Sequence, residues 1–168
     1  MNQRTTTLLS RFIVLLLLQL LFFNHWVFFD AVFPSVYIFF VMSYPFEAKP
    51  QEVILSSFLL GLSLDVLSQS PGAHTIATLT IATLRPAAIA VCLGLISDFS
   101  SIFSRRIKNL NLLLFILLMT WIHQIIYFSV LYFTWEAWLQ IIGDTIVHFL
   151  VSSLFIYLTL SLYTRDDS

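Results

Sequence analysis

Charged side chains are scarce in this chain of 168 residues, of which only 10% are Asp, Glu, Lys or Arg while 59% are hydrophobic. Soluble domains carry about 25% charged residues on average. The deficit excludes a soluble domain and indicates an integral membrane protein with one transmembrane domain, residues 1–168. It also argues against nucleic acid as a partner, because the basic residues form no basic face outside short loops.

Cysteine and glycine are also rare, with one and four residues in the chain. The single Cys92 cannot form an internal disulfide, and such a residue in an apolar segment usually fills space. The sequence contains no glycine-rich phosphate loop, no nucleophile elbow and no metalloprotease helix. We therefore expect neither catalysis nor a cofactor.

Long apolar runs are what the chain has in abundance. A spanning helix needs about 20 such residues, and helices are the default inside lipid because every backbone polar group must be paired there. We predict spanning helices at residues 10–29, 31–47, 52–69, 73–95, 110–133 and 137–162. The predicted fold class is an all-α integral membrane protein, a six-helix transmembrane bundle.

The basic residues lie in alternate breaks between these runs. Lys and Arg in short loops stay on the cytoplasmic side during insertion, so both termini are predicted to be cytoplasmic. The residues concerned are Arg4, Arg11, Lys49, Arg105, Arg106, Lys108 and Arg165. Arg85 departs from the pattern because it falls inside an apolar run, which makes it a functional candidate.

The third and fourth predicted helices are rich in polar residues, and we expect them to face protein more than lipid. Ser70, Pro71 and Gly72 form a turn signal that makes these helices an antiparallel hairpin. Ser57, Gly61 and Asp65 share one face of the third helix. Small residues in such a stripe let a neighbouring backbone approach closely, either within the chain or from a partner.

Asp65 and Arg85 are the two intramembrane charges of this hairpin. We expect Asp65 to need a partner, and His74 is the nearest basic group by depth. A direct bridge to Arg85 would span about 13 Å of depth and is not expected. Arg85 precedes Pro86, which frees the carbonyl of Ala82. Arg85 therefore either organises the bundle or contacts an anionic head group.

Asp144, His148 and His123 form a further candidate cluster on the last two helices, with the two histidines about 15 Å from the outer helix ends. Asp144 and His148 are one helical turn apart, and His123 lies at a similar depth to His148. No second pair of residues has ligand spacing, so we expect a hydrogen-bonded polar cluster rather than a metal site.

Several short motifs between residues 24 and 86 occur in an order and spacing that resemble the rod-shape-determining MreD family. These motifs are Asn24-His25, Phe33-Pro34-Ser35-Val36-Tyr37-Ile38, Pro45, the Gly61–Asp65 helix, Pro71-Gly72-Ala73-His74 and Leu84-Arg85-Pro86. The resemblance implies a multi-pass protein of the bacterial inner membrane, similar in fold to the substrate-binding subunits of vitamin (ECF-type) transporters.

The resemblance also implies a non-enzymatic role in cell elongation. The implied partners are an MreC-like membrane protein directly, and the peptidoglycan synthase pair and MreB indirectly, within the lipid membrane. The candidates for structural or partner contacts are Ser57, Gly61, Asp65, Gly72, His74, Arg85 and Pro86. The alternative is a small-molecule-binding subunit of a transporter, because Asp65, His74 and Asp144 all lie toward the outer half.

Overall fold

Long helices dominate the computed structural model, which describes residues 3–24, 32–45, 48–94 and 109–163. Within these ranges, five helices are long and apolar enough to cross a membrane. The elements are α1 (Gln3–Leu18) with a π-helical continuation (Gln19–Phe23), α2 (Ile38–Met42), α3 (Pro50–Ser68), α4 (Ala73–Leu93), α5 (Asn109–Tyr132), a 3₁₀ turn (Trp135–Ala137) and α6 (Trp138–Tyr163). The chain is therefore an all-α, multi-pass membrane protein.

Contacts at the two ends of α1 and α3 show that these helices run in the same direction. Arg4 Nη2 lies 3.6 Å from Glu52 Oε2 at their starts. Asn24 Nδ2 donates to Ser68 Oγ over 3.0 Å at their far ends. Residues 32–45 must therefore carry the chain back through the bundle before α3 begins.

This second pass corrects the sequence prediction, because it is not the long helix expected over residues 31–47. Of the described residues 32–45, only the five of α2 form an α-helix, and they follow an extended stretch and a turn. Every residue from Pro34 to Tyr44 is buried. Non-helical backbone is tolerated at membrane depth only where protein surrounds it. Hydropathy does not distinguish a segment buried in protein from one facing lipid, so the sequence alone predicts a spanning helix here.

The hairpin of α3 and α4 confirms the turn predicted at residues 70–72. Gln69 ends α3 in the left-handed conformation at φ 54°, and Gly72 follows at φ 89°. The second of these positions suits glycine, which has no Cβ to clash there. α4 packs on α3 and on α5, and α5 packs on α6.

Among the five long helices, the boundaries differ from the predictions mainly in α1, which begins at Gln3 rather than at residue 10. The ends of α3, α4, α5 and α6 lie within a few residues of their predicted positions. His25, the basic residues Arg105, Arg106 and Lys108, and Arg165 lie outside the described residues.

Candidate functional site

A set of buried polar side chains surrounds the second pass, and we call it the polar core. Its members come from four helices (α3, α4, α5 and α6), from the π-helical turn and from the second pass itself. They are Gln19, Ser35, Tyr37, Asp65, His74, Arg85, His123, Gln124 and Ser152, each at most 5% exposed. Buried polar groups must be hydrogen-bonded to be tolerated in such a place.

Gln19 supplies hydrogen bonds that the extended start of the second pass cannot make to itself. Its Nε2 donates to the Pro34 carbonyl over 3.1 Å, and its Oε1 accepts from the backbone N–H of Val36 over 3.0 Å. Gln19 opens the π-helical turn that continues α1. Such turns occur frequently at functional sites.

Ser35 ties the same stretch to α5 and α6. Its backbone N–H donates to Ser152 Oγ over 2.9 Å. Gln124 Nε2 donates to Ser152 Oγ over 2.9 Å and to Ser35 Oγ over 3.2 Å. The non-helical backbone is thus held by side chains from both sides.

Arg85 acts at the other end of the second pass, where its guanidinium donates to the carbonyl of Tyr44. Tyr44 lies two residues beyond α2, where carbonyls lack partners within the helix. The geometry agrees with a bundle-organising role for Arg85, although the carbonyl it binds is that of Tyr44 rather than that of Ala82. Pro86 lies next to it on the exposed side of α4.

Asp65 completes the first turn of α4. Its carboxylate accepts from the backbone N–H groups of His74 over 3.0 Å and Thr75 over 2.8 Å, and from the hydroxyls of Ser70 and Thr75. These N–H groups have no partner within the helix, and the helix dipole favours an anion there. His74 therefore binds Asp65 through its backbone N–H. The sequence had predicted a contact through its basic ring. Among the described residues, Asp65 and Arg85 form no ion pair.

Tyr37 joins two histidines at the centre of the polar core. Its hydroxyl lies 2.7 Å from His74 Nδ1 and 2.9 Å from His123 Nε2. Since a hydroxyl has one proton, one imidazole accepts from Tyr37 and the other donates to it. The Tyr127 ring lies beside both, at centroid distances of 4.8 Å and 6.2 Å. Sequence reasoning missed Tyr37, because a tyrosine in an apolar run carries no sign of a buried partner.

The cluster predicted from Asp144, His148 and His123 is not a single cluster. His123 belongs to the polar core, whereas His148 Nδ1 donates to the carbonyl of Asp144 over 2.8 Å. The Asp144 carboxylate accepts from the Tyr132 hydroxyl instead. In the part of the chain that the structure describes, no three His, Cys, Asp or Glu side chains come together as a metal site would require.

The small-residue stripe lies inside the α3–α4 contact. A Cβ on Gly61 would come within 2.6 Å of Thr75 Cα and 2.9 Å of the His74 carbonyl oxygen. Thr78 Oγ1 crosses the same interface to donate to the Ser57 carbonyl over 3.1 Å. Ser57 and Gly61 are therefore buried against the chain's own α4.

No family model, curated protein or solved structure matches this chain. The resemblance carried by the motifs of residues 24–86 therefore stays a prediction.

Proposed function

We propose that this chain is a non-enzymatic, MreD-like component of the bacterial inner membrane. It acts with an MreC-like membrane protein to control cell shape and peptidoglycan synthesis. The observation that carries the proposal is that residues from separate motifs of the resemblance lie along one buried segment, the second pass. Asn24, Ser35, Tyr37, His74 and Arg85 come from four of these motifs, and each forms a hydrogen bond that holds the second pass or its surroundings.

This arrangement supports the resemblance, because the residues that carry it line the same buried segment of the fold. A chance match of short apolar motifs has no reason to gather their polar residues around one buried segment. Buried hydrogen-bonded networks also favour one arrangement of the helices over others. A rigid bundle with defined outer faces is what a protein needs if it works by lateral contact with other membrane helices.

The partner surface in this proposal is the exposed face of α6, on the side turned away from α5. Among the described elements, α6 packs mainly on α5, and its exposed apolar residues recur every three or four positions along one face. Leu150 and Leu154 are 60% and 56% exposed on that face. The stripe at Ser57 and Gly61 is unsuited to this role because it is buried within the chain.

Complementation tests the proposal directly. The chain, expressed with the MreC-like protein from the same source, should restore rod shape to a rod-shaped bacterium depleted of its own MreD. The same MreC-like protein should co-purify with the chain from native membranes. The proposal would be contradicted if the cells stay round although the chain reaches the membrane level of the protein it replaces, and if the MreC-like protein does not co-purify.

A hollow of about 320 Å³ at the outer end favours a second candidate function, the small-molecule-binding subunit of a transporter. Asn24, Phe33, Ser68, His74 and Tyr127 are among its lining residues. This combination of rings with a few polar groups is typical of small-ligand sites. Uptake of a radiolabelled ligand that depends on this chain, in cells whose shape does not depend on it, would favour the transporter function over the first proposal.

A further inference from the structure

A groove of about 520 Å³ opens between α1 and α3 at the end where both helices begin. Below its mouth the walls are mainly apolar and are formed by α1, α2 and α3. The apolar lining residues include Leu8, Leu9, Phe12, Phe40 and Leu59. By the distribution of Lys and Arg, this end faces the cytoplasm, so the groove lies at the depth of the inner lipid leaflet.

The mouth of the groove carries one positive and one negative charge. Arg4 Nη2 and Glu52 Oε2 are 3.6 Å apart, and their side chains are 42% and 48% exposed. An exposed pair at this distance is weak because water competes for both groups. Separating Arg4 from Glu52 therefore costs little free energy, and each side chain can bind a ligand group of opposite charge instead.

We propose that this groove binds one phospholipid whose zwitterionic headgroup carries a primary ammonium. The phosphate binds Arg4, the ammonium binds Glu52, and an acyl chain lies along Leu8, Phe12 and Leu59. The charge pair decides this assignment, since a purely anionic headgroup would be repelled by Glu52. A primary ammonium has three N–H donors for a carboxylate, as a lysine side chain has, whereas a trimethylated ammonium has none.

A partner helix is a poorer occupant of the same groove. An α-helix with its side chains is about 10–12 Å across, and close helix contact in lipid depends on small residues on the facing surface. The groove presents leucine and phenylalanine instead, and its mouth carries the two charges of Arg4 and Glu52. The lipid site is independent of the proposed function in cell elongation.

Native mass spectrometry of the purified full-length protein, titrated with defined lipids, tests the proposal. The wild type should bind phosphatidylethanolamine about tenfold more tightly than phosphatidylcholine, the ratio that one charge-assisted hydrogen bond provides. Glu52→Gln should abolish that preference. Arg4→Gln should weaken the binding of both lipids and keep the preference, because both lipids carry the phosphate. Leu59→Trp should fill the groove and reduce both.

Glu136→Gln is the matched control, since Glu136 is exposed at the opposite end of the bundle; it should bind lipids as the wild type does. The proposal is overturned if the wild type binds the two lipids equally, or if phosphatidylglycerol binds more tightly than phosphatidylethanolamine. It is equally overturned if Glu52→Gln keeps the preference, or if a crosslinker at position 59 captures a partner helix rather than lipid.

Discussion

Asp65 and Tyr37 show what a single polar side chain does in this bundle. Each satisfies two or more groups that would otherwise be buried without a partner. A buried donor or acceptor that loses its partner costs about 1–3 kcal/mol. The stability of the chain should therefore respond more strongly to these residues than to the bulky apolar residues that face lipid.

Replacing Asp65 with leucine should destabilise the protein by roughly 2–4 kcal/mol, because the N–H groups of His74 and Thr75 lose their acceptor. Val66→Ala is the matched control, since Val66 is the neighbouring residue and is 67% exposed. Unfolding of the purified variants in a denaturing detergent series measures both effects. Similar unfolding midpoints for the two variants would show that Asp65 does not support α4.

Removing the hydroxyl of Tyr37 should cost about 1–3 kcal/mol in the same measurement, since Tyr37→Phe leaves the facing nitrogens of His74 and His123 without this partner. Tyr157→Phe should change stability by less than about 0.5 kcal/mol, because Tyr157 is 47% exposed. If Tyr37→Phe is as stable as Tyr157→Phe, the hydroxyl does not hold the two histidines together.

At the scale of elements, the sequence identified the long helices because their apolar runs have the length of a membrane. It did not reveal that the second pass is mostly non-helical and buried in protein, since Phe33–Met42 is equally apolar whether lipid or protein surrounds it. It also grouped His123 with His148 wrongly. Helical rise gives the depth of a residue but not its rotation about the helix axis, and rotation decides that His123 faces Tyr37.

The contact between α3 and α4 depends on Gly61, and a methyl group there should separate the two helices. We expect Gly61→Ala to destabilise the protein by about 2 kcal/mol or more, in the range of overpacked cores, without preventing membrane insertion. Gly143→Ala is the control, because nothing lies within 4 Å of a Cβ at that position. That change should be neutral or slightly stabilising, since alanine favours helix over glycine. Equal stability of the two variants would contradict the close approach.

At the scale of the whole molecule, α1 and α3 run in the same direction and α4 runs in the opposite one. Successive passes therefore cross the membrane in alternate directions. Together with the basic loops, they predict an external position for Ser70 and Glu136 and a cytoplasmic one for Gln51. In a Cys92→Ala background, cysteines at positions 70 and 136 should react with a membrane-impermeant reagent on intact spheroplasts. A cysteine at position 51 should react only after lysis, and its labelling in intact spheroplasts would reverse the topology.

The central claim for function is that a partner membrane helix binds the exposed face of α6. Site-specific crosslinking tests this claim most directly. A photoreactive residue is placed at Leu150 or Leu154 on the exposed face, or at the buried positions Ser57 or Thr78, in cells that co-express the MreC-like protein. We predict crosslinks to that protein from positions 150 and 154 and none from 57 and 78. Crosslinks from the buried positions only, or from none of the four, would contradict the claim.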